Sequence, residues 1–246
     1  MKNLQIPALL IAVLFNFSCL KINTPGGLVV WGSDETVTIT PEYNNFNEIV
    51  VSDKFNVNIQ QGDRYAVEIK TNKNMQEFLA INQKYTVLDI QMKPNRFYKD
   101  AVLEAKITLP DLVYLDVNGI SRVTIDEFAV KKDIRIDITE TSKLIANISA
   151  EGVFLTVKNS SEAEFYGSAG YLKAEGVLSS QLNMRDLTTQ RANIYLSIGS
   201  EGQFNISHRF VAELRGGATM KYSGNAEEEK IVKDDSSILE KLSDSD

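Results

Sequence analysis

IDITETSKLIANI, at residues 136–148, decides the fold because its pattern returns along the chain. Alternate residues are apolar, a small or polar pair interrupts the alternation, and the alternation then resumes, as expected for strands that bury one face. The pattern recurs as LTVKNSSEAEF (155–165), AEGVLSSQLNM (174–184), IYLSIGSEGQF (194–204) and AELRGGATMKY (212–222). The first apolar residue after the interruption is Val123, Leu144, Ala163, Leu182, Phe204 and then Met220. The pattern thus repeats once every ~19 residues, close to the range of known repeat architectures.

Such a short period, built of strand-like units, is typical of a solenoid, and the Leu/Asn consensus of leucine-rich repeats is absent. The sequence therefore predicts an all-β protein, a right-handed parallel β-helix or β-solenoid, with each small pair at a corner. Ile138 and Val157 should lie in adjacent turns, as should Leu196 and Leu214. A β-sandwich of hairpins is disfavoured, because two-residue Asn-Gly-type turns do not join the alternating runs.

The chain before the repeats, residues 45–110, does not show the repeating pattern and has other signals of secondary structure. Phe55–Ile59 alternates, Gln61–Arg64 has turn composition, and Tyr65–Ile69 returns, which predicts a β-hairpin. The i, i+3, i+4 spacing of apolar residues in Asn74–Ala80 predicts a two-turn helix. We therefore divide the body, residues 45–225, into a hairpin-containing part (45–110) and a repeat coil (111–225).

Residues 1–18 have the composition of a secretory signal peptide. Lys2 supplies the positive end, and residues 4–17 form an apolar run too short to span a bilayer. The run ends at Ser18 followed by Cys19, the one cysteine of the chain, which resembles the lipobox of bacterial lipoproteins, although Asn16 stands where that motif usually has Leu. The resemblance implies cleavage before Cys19, acylation of its thiol, and an outer-membrane lipoprotein whose periplasmic or surface orientation stays open.

The two ends of the mature chain look unstructured. Residues 19–44 lack a clear period and read as a lipid-anchored tether, in which Trp31 could dock onto the body without binding a ligand. Residues 226–246 hold eight acids and three lysines without an aromatic residue, which predicts a disordered acidic tail, with a short helix conceivable at 237–242.

Composition excludes several classes of function. The formal net charge of −7 and the lack of a basic cluster argue against nucleic acid as a partner. One cysteine and one histidine exclude sites that need several thiolate or imidazole ligands. His208 lies between two runs without partner residues around it, and Gly216-Gly217 has neither the lysine nor the helix of a phosphate loop. We expect no catalytic residues, metal or cofactor.

The order of motifs in the body resembles a known family. Phe55-x-Val57-x-Ile59-x-x-Gly62-Asp63, Ile107-x-Leu109-Pro110-x-Leu112 and Val117-x-Gly119-x-Ser121 are similar to the DUF2807 family, described as "putative auto-transporter adhesin, head GIN domain". The resemblance covers about residues 45–225. It implies a right-handed β-helix and no catalytic residues. Glu140 departs from the small-residue corner pattern, which predicts that the coil opens or bends there.

Two features on the outward register bear on function. Asp116 and Asp137 are separated by about one repeat and should stack in one column, where two carboxylates could share a hard cation, although a solvated face explains them better. Phe154, Tyr166 and Tyr195 also point outward and are candidate binding aromatics.

The sequence thus predicts an exported, lipid-anchored envelope protein that presents a rigid surface to a protein or glycan. Its partners are a membrane, through the lipid, and that ligand. One alternative is a scaffold that recruits another protein at an uncapped coil end, and a second is a carbohydrate-active β-helix enzyme.

Overall fold

The computed structural model describes residues 29–243, which form a β-solenoid of about 7 turns. The strands before the coil are β1 Val29–Trp31, β2 Thr36–Ile39, β3 Glu48–Val51, β4 Asn56–Gln61, β5 Ala66–Asn72, β6 Leu79–Lys84, β7 Val87–Met92, β8 Phe97–Lys99 and β9 Leu103–Leu109. Those of the coil are β10 Tyr114–Val117, β11 Arg122–Ala129, β12 Asp133–Ile138, β13 Lys143–Lys158, β14 Glu162–Val177, β15 Gln181–Ser197, β16 Glu201–Arg215, β17 Thr219–Ser223, β18 Glu227–Lys233 and β19 Ile238–Lys241.

Each turn of the coil adds one parallel strand to each of two sheets. The front sheet contains β10, β12, the second halves of β13–β16, and β18. The back sheet contains β11, the first halves of β13–β16, β17 and β19. The long strands β13–β16 therefore bend from the back sheet into the front sheet. The predicted parallel solenoid is confirmed.

The period also agrees with the prediction. The residues paired from turn to turn on the back sheet are Val123, Leu144, Ala163, Leu182, Gly202 and Met220, which differ from the predicted set at one position. Gly202, not Phe204, is the partner of Leu182. Glycine fits there because the Phe204 ring lies 2.5 Å from where a Cβ of Gly202 would be.

The core lies between the two sheets. Ile138 pairs with Val157 and Leu196 pairs with Leu214, as predicted, and all four are buried. A column of small residues fills the corner between the front and back strands of each turn, where a larger side chain would collide with its neighbours. Its members are Ser121, Ser142, Ser161, Ser180, Ser200, Ala218 and Ser237, all buried.

The outward residues at these corners correct the predicted register. Two consecutive residues have positive φ at 140–141, 159–160, 178–179, 198–199 and 216–217, and this pair turns the chain by itself. Glu140, Asn159, Leu178 and Ile198 therefore face solvent, although the alternation places them inside. The prediction that the coil opens or bends at Glu140 finds no support in the register, because Ile138 pairs with Val157 before this corner and Lys143 pairs with Glu162 after it, the same offset on both sides.

The predicted hairpin at Phe55–Ile69 is wrong as well. β4 and β5 do not pair with each other, because β9 lies between them, parallel to β4 and antiparallel to β5. β3 likewise lies between β7 and β10. The β3–β4 segment is thus a complete turn of the coil that is inserted out of chain order, and a turn signal alone could not reveal the strand that separates its neighbours.

The hairpin in this region is β6–β7, which turns at Tyr85-Thr86. The segment predicted as a two-turn helix forms a 3₁₀ helix, Lys73–Phe78, whose buried residue is Met75, and continues as β6. β2, β5 and β6 are antiparallel to their neighbours, and they close the N-terminal end of the two sheets.

Both predicted unstructured ends contain strands. Within residues 19–44, β1 pairs with β8, and β2 extends the back sheet beside β5. Within residues 226–246, β18 and β19 add a last turn to the coil, so a strand stands where a short helix was conceivable. β16 and β17 present unpaired backbone N–H and C=O groups at the end of the coil, and β18 and β19 pair with them. Because this pairing adds to the packing of Ile231 and Leu239 on the core, an acidic segment with few apolar residues is ordered.

The predicted signal peptide and Cys19 lie outside the described residues. Between residues 29 and 243, no helix has the length and apolarity needed to cross a membrane.

Candidate binding surface

The outward residues of the front sheet form straight columns, because parallel strands in register place equivalent side chains directly above one another. One column runs Tyr114, Arg135, Phe154, Lys173, Asn193, Val211. The adjacent column runs Asp116, Asp137, Thr156, Glu175, Tyr195, Glu213. We call this face the front ladder.

Asp116 and Asp137 are stacked on neighbouring strands, as predicted. Asp137 is already engaged, because Arg135 Nε donates to its Oδ2 at 3.0 Å and the Tyr114 hydroxyl donates to the same atom at 3.1 Å. Burial raises the pKa of Tyr114 to about 12, and the negative charges of Asp116 and Asp137 add to the shift. These contacts explain Asp137 as part of a structural network.

Asp116, unlike Asp137, forms no ion pair within 4 Å among those found in the described residues. Burial raises its pKa, the hydrogen bond with Asn118 lowers it, and the charges of Asp137, Asp89 and Glu140 raise it further. Burial likewise raises the pKa of Asp89, two strands below. Among the residues that the structure describes, no group of three His, Cys, Asp or Glu side chains could hold a metal ion.

Two of the outward aromatics of the front ladder, Phe154 and Tyr195, lie on either side of polar side chains. A shallow cavity of about 240 Å³ is lined by Arg135, Phe154, Thr156, Lys173 and Glu175 among others. A second, of about 160 Å³, shares Lys173 and Glu175 and includes Asn193, Tyr195 and Glu213. The two cavities share Lys173 and Glu175 and adjoin along the coil, and we call them together the groove. Phe154 and Tyr195 lie two strands and two residues apart in it, a Cα separation of about 12 Å.

The groove combines apolar and hydrogen-bonding groups. Phe154 is 37% exposed, and its ring meets the edge of Tyr171 at 5.9 Å between centroids, which fixes its orientation. Glu175 pairs with Lys158 at 3.4 Å, and Glu213 pairs with Arg215 at 2.6 Å. The alternation identifies the outward residues, and the strand register then shows that Lys173 lies on the strand between the two aromatics and that Asn193 lies beside Tyr195 on the same strand.

Tyr166 is outward too, but it lies on the back sheet, where its hydroxyl donates to Glu164 at 2.5 Å. His208 is exposed at the bend within β16, and Gly216-Gly217 is one of the positive-φ corners. The structure therefore unites Phe154 and Tyr195 and leaves Tyr166 apart.

The sequence profile of the DUF2807 family, described as "Putative auto-transporter adhesin, head GIN domain", matches residues 45–226. The chain belongs to this family. A comparison with curated proteins finds no match.

Solved structures share the fold of this DUF2807 chain. A "putative adhesin" from Bacteroides fragilis is 15% identical with a TM-score of 0.79, covering 87% of this chain and 100% of its own. A "putative lipid binding protein" from Parabacteroides distasonis is 15% identical with a TM-score of 0.68 and the same coverage. A "putative adhesin" from Parabacteroides merdae is 12% identical with a TM-score of 0.68, covering 88% of this chain and 100% of its own.

Proposed function

We propose that this protein is a non-catalytic adhesin, lipid-anchored in the cell envelope through Cys19, that binds an extended glycan along the front ladder. The observation that carries the proposal is the groove in which Phe154 and Tyr195 flank Lys173, Glu175 and Asn193. Family membership supports adhesion as the class of function.

The geometry of the groove suits a linear polymer of sugars. An aromatic ring offers a large apolar face with little side-chain entropy, and the apolar face of a sugar ring packs on such a surface. The amide of Asn193 and the charged groups between the rings can hydrogen-bond to hydroxyl groups. A rigid sheet presents these groups without a cost for ordering loops.

A glycan array with purified protein tests the proposal. We expect binding to a subset of glycans that falls at least about tenfold in Phe154→Ala or Tyr195→Ala, because each truncation removes a contact that the glycan would bury. Tyr166→Ala is the matched control, since Tyr166 is 36% exposed, almost as much as Phe154, but lies on the other sheet. Equal losses in Phe154→Ala and Tyr166→Ala would contradict the front ladder as the site.

The same preparation separates binding from catalysis. Incubation with the bound glycans should release no reducing sugar. Release that depends on the acids of the front ladder would instead support the enzyme alternative.

The anchor requires its own experiment. Cys19→Ser should move the protein from the detergent phase to the soluble fraction or leave an uncleaved precursor. Partitioning identical to that of the wild type would contradict acylation at Cys19. Protease shaving of intact cells then tells which side of the membrane the body occupies.

A scaffold remains the second candidate, because β18 and β19 each pair on one side within the described chain and leave a backbone edge. Glu227–Glu229 and Glu240 place negative charge along that edge, which hinders strand addition. The scaffold would be favoured if the specific ligand were a protein and not a glycan. Binding of that protein should then be lost when β18 is changed and should be unaffected by Phe154→Ala.

A further inference from the structure

The corner beside the N-terminal end of the described chain exposes apolar and basic side chains together. Val29 pairs with Phe97, and Val29, Trp31, Phe97 and Ile120 are all exposed. Phe97 and Ile120 line a cavity of about 380 Å³, in which the charged residues are Asp53, Lys54, Arg96 and Lys99. We call Val29, Trp31, Lys54, Arg96, Phe97, Lys99 and Ile120 the basal patch.

Hydrogen bonds hold the backbone at Trp31, although the residue is 57% exposed. The Asn74 side-chain amide donates to the Trp31 carbonyl at 2.8 Å and accepts from the Ser33 N–H at 2.9 Å. Lys99 Nζ lies 4.8 Å from the centre of the Trp31 ring. Apolar rings that are held in contact with water raise the free energy of the folded protein. A contiguous exposed apolar patch on a soluble protein is therefore typical of an interaction site.

We propose that the basal patch docks onto the anionic surface of the membrane that carries the lipid anchor. This inference rests on the proposed acylation of Cys19. Only the segment 20–28 separates Cys19 from Val29, so the patch cannot be more than about 35 Å from the lipid. The tether thus holds this corner of the body at the bilayer at high effective concentration.

Two chemical features single out a bilayer as the occupant. Tryptophan and other aromatic rings favour the headgroup region, where one face is apolar and the other is wet. The basal cavity has more basic than acidic residues in a chain of net charge −7, so an anionic lipid surface attracts this corner and repels most of the rest. Asp53 is the one acidic residue that lines the cavity, and its carboxylate accepts the Met92 N–H at 2.6 Å.

Trp31 is the one tryptophan of the chain, so its fluorescence reports the patch alone. The purified acylated protein is reconstituted into phosphatidylcholine vesicles with and without phosphatidylglycerol. In anionic vesicles, we expect Trp31 emission to shift to shorter wavelength and to be quenched by lipids labelled near the headgroup. Lys54→Gln and Lys99→Gln should each lower the ratio of docked to undocked protein about fivefold.

Paired variants test the apolar contribution. Phe97→Ser should reduce quenching, whereas Tyr85→Ser should leave it unchanged. Tyr85 is even more exposed, 85% against 68% for Phe97, but it precedes β7, at the opposite end of that strand from Met92, which lines the basal cavity. Equal effects of the two variants would overturn the proposal.

The remaining outcomes are distinct. Acylated protein whose Trp31 is unquenched in anionic vesicles overturns docking and leaves the anchor intact. A blue-shifted, unquenched Trp31 means that the chain itself covers the patch, and a concentration-dependent shift without lipid means a second copy does; both overturn docking. An intact mass without acyl groups overturns the anchor and, with it, this inference.

Discussion

Residues 29–109 and residues 143–223 build the same two sheets in different ways. In the coil, each strand pairs with its equivalent in the next turn, so chain order and spatial order agree. In the N-terminal part, β3 and β4 are inserted between strands that follow them in the chain, and antiparallel strands close the end. Register in the coil is therefore set locally, while register in the N-terminal part needs long-range pairing.

The largest expected effect is a charge in the core of the coil. Val157 is buried between Ile138 and Gly176 of the adjacent strands. Val157→Asp should cost about 3 kcal/mol or more in the free energy of unfolding, because the carboxylate has no partner there. Since each turn contacts only its neighbours, hydrogen exchange should increase first in residues 133–177 and less in residues 29–109.

Lys158→Gln is the control for this variant. Lys158 points outward and forms a partly exposed ion pair with Glu175. Its loss should cost no more than about 0.5 kcal/mol. Equal exchange across both parts of the molecule in Val157→Asp would show instead that they unfold as one cooperative unit.

The contrast between the two parts also explains which predictions the sequence could support. The alternation around Ile138 and Val157 identifies the core because inward residues repeat with the period of the coil. The positive-φ pairs at the corners break that alternation for two residues, so the alternation puts Leu178 and Ile198 on the wrong side. No local signal shows that β9 separates β4 from β5, because an antiparallel return after a turn reads the same with or without an inserted strand.

The binding surface was likewise predictable only where it depends on the local alternation of inward and outward residues. Phe154 and Tyr195 can be found as outward aromatics from the alternation alone. The alternation does not show that Lys173 lies on the strand between them or that Tyr166 lies on the other sheet. Both facts depend on the residue at which each long strand bends from the back sheet into the front sheet. The basal patch escapes sequence reasoning because Trp31 and Phe97 are far apart in sequence and meet only through the β1–β8 pairing.

A smaller effect compares two serines of the buried column. Ser200 Oγ donates to the Ser197 carbonyl at 2.7 Å and lies 3.1 Å from Ser180 Oγ, within the coil. Ser121 Oγ, next to the junction with the N-terminal part, has no hydrogen-bond partner among the described residues. Ser200→Ala should therefore cost about 1 kcal/mol, whereas Ser121→Ala should be neutral or stabilising.

Urea unfolding of both variants measures the difference, provided that the slopes match that of the wild type. Equal losses would mean that the two positions are equivalent and that the column stabilises by packing alone.

The smallest effect concerns the corner of the last described turn, residues 234–237, which meets the Gly216-Gly217 corner through a side chain as well as through the backbone. Between earlier turns, Gly199 N–H donates to the Gly216 carbonyl at 2.9 Å, but Gly216 N–H itself donates to the Asp234 carboxylate at 2.6 Å. Ser237 Oγ and Ser236 Oγ donate to the same carboxylate at 2.7 and 2.8 Å. The Gly216 hydrogen bond, followed by those of the two serines, holds the pKa of Asp234 well below its usual range.

A carboxyl with a lowered pKa in the folded state stabilises above the ordinary pKa of aspartate, about 4, and loses this contribution as the pH falls through the lower folded value. The protection of residues 227–241 from exchange, relative to the intrinsic rate at each pH, should therefore stay constant from neutral pH to about pH 4 and fall only in stronger acid. Asp234→Asn should raise exchange there already at neutral pH, because an amide presents its NH₂ group to a donor. Asp235→Asn changes the same charge one residue away, on an exposed side chain, and should have no such effect. If both variants raised exchange equally, net charge rather than the Asp234 hydrogen bonds would hold the last turn on the coil.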